Sequence, residues 1–395
     1  MNVGIRGQGF LEWHGGAAFL TGVIHGMRQG IPDCRLTLLM PTSGFFATGV
    51  RCVRTILAAA GKGNGGLPGE PLPELLASVV PLCDEVRCID LGPRAIAHAV
   101  RKYSIDLLMP SIAPLPAGFP KPWVGYIYDL QHRELPDFFS EKDRLLRDQG
   151  FQRIVRGANA VVVNSRDTAA KVREAYGRQL RSIYAFPFCA CPDPEWLIES
   201  SPATRPTPGR YFIISNQFWA HKDHETAFRA LALLSRQYED VHIVCTGRSE
   251  DFRRPHHFSE LMNLNASLGI ADRVHVRGVL PKKEQIGWMR KSVATLQPTL
   301  CEGGPGGGAA YDAIAIGTRI ILSDIEINKE IASEPGVSFF RAKNPESLAE
   351  AMVRVLETPH QPTSAVQLVE NGKQRFSAFA ETIGTIVRDV CNEAP

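Results

Sequence analysis

Apolar residues fall in short unbroken runs, separated by longer stretches in which apolar and polar positions are mixed. In the first half the runs are Leu36–Met40, Leu107–Met109, Val124–Tyr128 and Ala160–Val163. In the second half they are Tyr211–Ile214, Val241–Cys245, Val274–Val276, Ala294–Gln297 and Arg319–Leu322. Runs that are mostly apolar, rather than strictly alternating, predict strands covered on both faces. The amphipathic stretches between them predict helices over Ala17–Gln29, Arg166–Tyr176, Thr226–Arg236, Ser259–Leu268, Lys282–Lys291 and Ala309–Ile316. Such strand–helix alternation predicts an α/β protein with parallel sheets.

Proline breaks this alternation between Cys191 and Gly209, where Cys-Pro-Asp-Pro is followed by Ser-Pro-Ala-Thr-Arg-Pro-Thr-Pro-Gly. Neither a helix nor a strand tolerates that density of proline, so a linker is expected over 191–209. It leaves 1–190 as a first unit, and the 395-residue length suits two domains. The glycine- and proline-rich stretch Gly61–Pro73 is expected to form a long loop in the first domain.

Composition adds exclusions. With 44% hydrophobic and 22% charged residues and a formal charge of +3, the chain is globular, and nothing global points to nucleic acid. Its 9 cysteines include no Cys-x-x-Cys pair, so neither zinc nor a disulfide framework is expected, and reduced thiols in the cytoplasm are. The first residues lack the apolar core of a signal peptide, and no run approaches ~18 apolar residues.

Three segments carry candidate chemistry. Glu302-Gly303-Gly304-Pro305-Gly306-Gly307-Gly308 follows a predicted strand and opens the helix that holds Asp312. A glycine turn lets backbone amides face a ligand, and a helix start favours phosphate. Glu302 is placed to accept from sugar hydroxyls, and Asp312 to reach a ribose. In the second segment, Lys222 follows the strand Tyr211–Ile214 by a short loop and lies beside His221 and His224. A lysine there can meet a diphosphate as a compact charge. In the first domain, Gly15 and Gly16 follow the opening strand, and Asp129 and His132 follow the Val124–Tyr128 run, where a cleft wall is expected. The glycine spacing is not that of a dinucleotide fingerprint.

Together these segments resemble the retaining glycosyltransferases of the GT-B fold, family four, in a branch that acts in bacterial surface-polysaccharide assembly. Glu302 and Asp312 match the family's two acids and Gly317 its helix-end glycine, although the second acid is usually Glu and the loop here is longer. Lys222 matches the basic residue that binds the donor diphosphate, while Asn216 stands where an arginine is usual. Gly247 and Arg248 match a second glycine-containing step, and Gly278, Val279 and Leu280 the loop that meets the nucleotide base.

The resemblance implies two Rossmann-like domains facing across a cleft. Residues 1–190 would form the acceptor side, 210–375 would bind the nucleotide sugar, and a helix over 376–395 would pack back on the first domain. It also implies transfer of a hexosyl group, mannosyl among the options, to a glycan or lipid-linked acceptor without a protein nucleophile. Glu302, Lys222, His132 and Asp129 would carry the chemistry. Gly15, Gly16, Asn216, Gly247, Arg248, Gly278–Leu280, Gly306–Gly308 and Asp312 would bind the donor. No Asp-x-Asp pair is present, so neither a metal nor a cofactor is expected. Basic residues of the first domain (Arg94, Arg101, Lys102, Arg153, Arg156, Arg166, Lys171, Arg173) suggest peripheral contact with anionic lipid at the inner face of the membrane. An epimerase of the same architecture and a non-catalytic nucleotide-sugar binder are the competing expectations. A dehydrogenase fits less well, lacking the glycine fingerprint.

Overall fold

The computed structural model describes residues 1–10, 14–41, 79–90, 92–198, 205–234 and 237–392. The Gly61–Pro73 segment and part of the proline-rich stretch lie outside the described residues.

Two parallel sheets organise the chain. The first contains β1 (Asn2–Arg6), β2 (Arg35–Pro41), β3 (Glu85–Ile89), β4 (Leu107–Ser111), β5 (Trp123–Tyr126), β6 (Ala160–Val163) and β7 (Ile183–Ala185), in the order β3-β2-β1-β4-β5-β6-β7. The second contains β8 (Arg210–Ser215), β9 (Val241–Thr246), β10 (Val274–Val276), β11 (Thr295–Gln297), β12 (Ile320–Ser323) and β13 (Val337–Phe340), in the order β10-β9-β8-β11-β12-β13. In both, the first strand of the domain is central and the order reverses beside it. That reversal opens a crevice at the carboxyl ends of the strands. Every strand pair is parallel.

The helices are α1 (His14–Gly30), α2 (Pro93–Lys102), α3 (Gln131–Glu134), α4 (Glu141–Gly157), α5 (Arg166–Tyr176), α6 (Pro194–Leu197), α7 (His224–Leu234), α8 (His257–Ser267), α9 (Lys282–Lys291), α10 (Gly307–Ala315), α11 (Glu326–Lys329), α12 (Pro345–Glu357) and α13 (Ala365–Asn392). The apolar runs are strands because each packs helices on both faces: two hydrophobic clusters flank each sheet. The chain reaches the second sheet after β7 and returns in α13, whose Phe379, Ile383, Ile386 and Val387 join the core beneath β1, β2 and α1. Close packing there needs glycine. A Cβ on Gly26 would lie 2.6 Å from Ile383, and one on Gly30 would overlap the Ala380 carbonyl.

Several boundaries differ from the sequence reading. β5 stops at Tyr126, so Tyr128 and Asp129 leave the sheet at the crevice. α1 begins at His14 and α10 at Gly307, so Gly15, Gly16, Gly307 and Gly308 are first-turn residues rather than residues preceding a helix. In both cases glycine's low helix propensity hid a start that tertiary packing holds.

Candidate active site at the interdomain crevice

β8 and β11 are neighbours, so Asn216, just past the end of β8, meets Gln297, the last residue of β11. Asn216 Nδ2 donates to Gln297 Oε1, and Gln297 Nε2 donates to Glu302 Oε1 at 3.1 Å. Lys222 Nζ donates to the same Glu302 oxygen, and each of the two side chains is only 11% exposed. Gly247, at φ +124°, packs its Cα against the Asn216 backbone, where any Cβ would overlap the carbonyl. Lys222 ends a short 3-10 turn that is pinned by Leu300 N and Thr299 Oγ1 donating to the His221 carbonyl at 2.8 and 3.3 Å. Asp251 Oδ2 accepts from Ala220 N at 3.0 Å at the start of that turn.

The glycine turn packs against this pair. Gly306 is left-handed (φ +64°) and its buried amide donates to Asn328 Oδ1 at 2.8 Å. Gly307, at φ +58°, donates to the Gly304 carbonyl at 3.1 Å, and a Cβ there would lie 2.8 Å from the Glu302 carboxylate. Gly306 and Gly307 thus have internal acceptors, while Gly308 and Ala309 are first-turn residues whose amides have no acceptor within the helix. Gly308 is exposed. Gly317 closes the helix in the left-handed region at φ +69°.

One turn further, Asp312 is buried and accepts from Lys282 Nζ, with Gln285 Nε2 at 3.4 Å from the same oxygen. Burial raises its pKa and Lys282 opposes the rise. Lys282 opens α9, where a cation meets the positive end of a helix, so its place there is explained by the carboxylate across from it.

The opposite wall comes from the first domain. Asp129 Oδ1 accepts from Arg147 at 2.6 Å and from Gln131 N at 3.1 Å. A Cβ on Gly303 would overlap the Tyr128 carbonyl, so the two walls touch there. Asn164 Nδ2 donates to Tyr126 Oη at 2.6 Å, and Tyr126 stacks at 4.2 Å on Phe19 of α1, the helix whose first turn holds Gly15 and Gly16. His132 is 2% exposed, with Nε2 3.5 Å from Asp148 and its ring edge-on to Phe151. Burial, then Arg147, lowers its pKa, so it is neutral at pH 7.

Around the rim, Gly247 N donates to the Gly278 carbonyl at 2.8 Å and Phe218 N to the Arg248 carbonyl at 2.9 Å. Arg248 and Val279 are exposed, and Leu280 is partly buried. His224, placed near Lys222 by the sequence, belongs instead to the core. It is fully buried and stacks on Phe218 at 4.3 Å.

The sequence reading missed Gln297, Lys282, Asn328 and Arg253. Arg253 crosses from the second domain to donate to Gln131 Oε1 at 2.7 Å, and its guanidinium lies over Phe139 and Trp219. Only Lys282 left a signal, the misplaced helix-start cation. A glutamine at a strand end and an arginine in a loop carry none.

Two parallel sheets meeting at their carboxyl edges define a two-domain fold of the GT-B type, with a lysine–carboxylate pair under a glycine helix start at the crevice. Residues 199–375, which hold the second sheet, match the family model "Glycosyl transferases group 1". Sucrose-phosphate synthase from Thermosynechococcus elongatus shares the fold at a TM-score of 0.66 and 15% identity, covering 100% of both chains. HepE of Anabaena in complex with UDP does so at 0.60 and 14%, covering 98% of this chain and 94% of that one. The lipopolysaccharide outer core galactosyltransferase WaaB follows at 0.59 and 13%, covering 98% and 100%. No curated protein matches this sequence.

Proposed function

We propose that the chain is a retaining hexosyltransferase acting at the cytoplasmic face of the membrane. It moves the sugar of a nucleoside-diphosphate donor, glucosyl, galactosyl or mannosyl, to a hydroxyl of a glycan or lipid-linked acceptor in surface-polysaccharide assembly. The observation that carries the reading is the desolvated Lys222–Glu302 pair beside Gly308, the exposed residue in the first turn of α10. A carboxylate already paired with a lysine can accept from sugar hydroxyls without placing net negative charge beside a diphosphate. As the donor bond breaks, charge grows on the leaving diphosphate, and Lys222 with the exposed Gly308 amide is positioned to stabilise it. Asp312, paired with Lys282, orients the ribose, and Asp129, fixed by Arg147, lines the acceptor side with neutral His132 behind it.

Relatives support the donor class and the product class. HepE has been solved with UDP-glucose, and WaaB is a lipopolysaccharide galactosyltransferase. Peripheral lipid contact would use the exposed Arg94, Arg101 and Lys102 of α2, since Lys171 is engaged by Glu134 and Asp167.

The test has two parts. In a thermal-shift panel of UDP, GDP, dTDP and ADP, one nucleotide at about 100 times its dissociation constant should stabilise the fold by ~2.7 kcal/mol. Glu302→Ala should lower kcat/KM by about 100-fold or more, whereas a loss under about threefold would remove Glu302 from the site. Turnover of donor without any acceptor would instead favour an epimerase.

A further inference from the structure

The chain passes between the domains at two places, the segment after β7 and the start of α13, and these two crossings touch. Cys189 and Cys191 lie on the first, with Sγ atoms 3.6 Å apart. Cys191 Sγ is 3.2 Å from the Gly372 carbonyl of α13, and Arg375 Nη1 donates to the Ala190 carbonyl at 3.1 Å. A Cβ on Gly372 would lie 2.7 Å from Pro192, so there is no slack between the two crossings. The residue before the pair, Phe188, packs its ring 4.3 Å from that of Tyr311 in α10, next to Asp312. Both cysteines are partly exposed, unlike the buried Cys34, Cys83, Cys245 and Cys301.

We propose that Cys189 and Cys191 are a reversible dithiol–disulfide site, oxidised by a low-molecular-weight disulfide, that weakens donor binding when it closes. A disulfide holds its sulfurs about 2.05 Å apart, so closing the pair draws Cys191 away from its present contact and pulls on the backbone at Ala190. That shift removes the Cys191 contact to Gly372 and moves Phe188 against Tyr311, and through it the helix that carries Asp312.

The chemistry balances as ordinary exchange. The Cys191 thiolate attacks one sulfur of the small disulfide, forming a mixed disulfide and releasing one small thiolate. Cys189 then loses its proton and attacks the Cys191 sulfur, forming the Sγ–Sγ bond and expelling the second. The protein loses two electrons, and the small disulfide gains them. Cys191 serves as the first nucleophile: the hydrogen bond from Cys189 lowers its pKa and Arg375 adds to the lowering, against burial and the bond its own thiol donates to the Gly372 carbonyl. The same hydrogen bond, with burial, keeps the proton on Cys189.

The experiment treats the reduced full-length chain with glutathione disulfide, alkylates the remaining thiols, and reads both the peptide masses and the affinity for UDP. The expected peptide carries a bond between Cys189 and Cys191, and UDP affinity falls by about threefold or more. Dithiothreitol should reverse both changes. Cys189→Ser and Cys191→Ser should bind UDP like the reduced wild type and ignore the oxidant. Alkylation of both cysteines after treatment, or a lasting glutathione adduct without the internal bond, would overturn the site. Bond formation with unchanged UDP affinity would overturn its control of the donor. The affinity arm rests on the donor-site reading and the alkylation arm does not. A reduced chain that binds no nucleoside diphosphate would therefore count against that reading, while the masses still decide the bond.

Discussion

His224 and Asp223 sit side by side and respond to pH in opposite directions. Neither ring nitrogen of His224 has a hydrogen-bond partner among the described residues, and burial lowers its pKa to about 3, with His257 and Lys222 adding to the effect. Unfolded histidine takes up a proton below about pH 6.5 and the folded one does not, so the fold loses stability as pH falls through that range. His224→Phe keeps the stack on Phe218 and removes the proton uptake. Its unfolding free energy from urea titration should therefore rise relative to wild type by about 1–2 kcal/mol between pH 7.5 and pH 5, an unchanged difference refuting the assignment. Burial raises Asp223 to about 6, partly offset by Thr226. Its folded form keeps a proton that the unfolded chain loses near 4, so the fold loses stability as pH rises from about 4 to 6. Asp223→Asn tolerates the same left-handed backbone (φ 49°) and should cancel that slope in the same urea titration.

At the scale of elements, the start of α10 depends on α11. Asn328 is fully buried, donates to the Ser323 carbonyl at 2.9 Å, and accepts from Gly306 N. Asn328→Ala leaves both backbone groups buried without partners, at about 1–3 kcal/mol each. Chemical denaturation should show a loss of about 2–5 kcal/mol, and nucleotide binding should weaken because the glycine turn loses its anchor. A variant as stable as wild type would show that the turn holds itself. This dependence leaves no mark in the sequence, since Asn328 lies 22 residues beyond the turn it fixes. The core stretches of the elements were readable because apolar runs and amphipathic spacing are local. Helix starts were not, because Gly15, Gly16, Gly307 and Gly308 look like turn and enter helices only when neighbours hold them.

At the scale of the whole molecule, the two domains are tied by groups that complete each other's unfinished hydrogen bonding. α5 begins with Ser165 accepting from Thr168 N, and its next two free amides, Arg166 and Asp167, donate to Glu330 of the second domain at 3.1 and 2.7 Å. A carboxylate at a helix start is favoured by the helix dipole, so this contact holds the crevice closed. Glu330→Ala should enlarge the radius of gyration measured by small-angle scattering and lower kcat/KM by about 3–10-fold, mostly through KM. An unchanged scattering profile would mean that Arg253–Gln131 and the Gly303–Tyr128 contact suffice on their own.

The sequence by itself determined the α/β alternation and singled out Glu302, Lys222 and Asp312 as candidates, because strand burial and helix-start chemistry act within a few residues; in the proline-rich stretch it overlooked the short helix α6. Only the tertiary structure decided the partners of those three candidates. Lys222 meets Glu302 across 80 residues because β8 and β11 are adjacent in the second sheet, and that adjacency also sets Gln297 between Asn216 and Glu302. It also sent His224 into the core, joined Glu330 to a helix of the other domain and laid Cys189 and Cys191 against α13. Each of these contacts depends on which strands pair and where the chain crosses between sheets, and no local spacing encodes that.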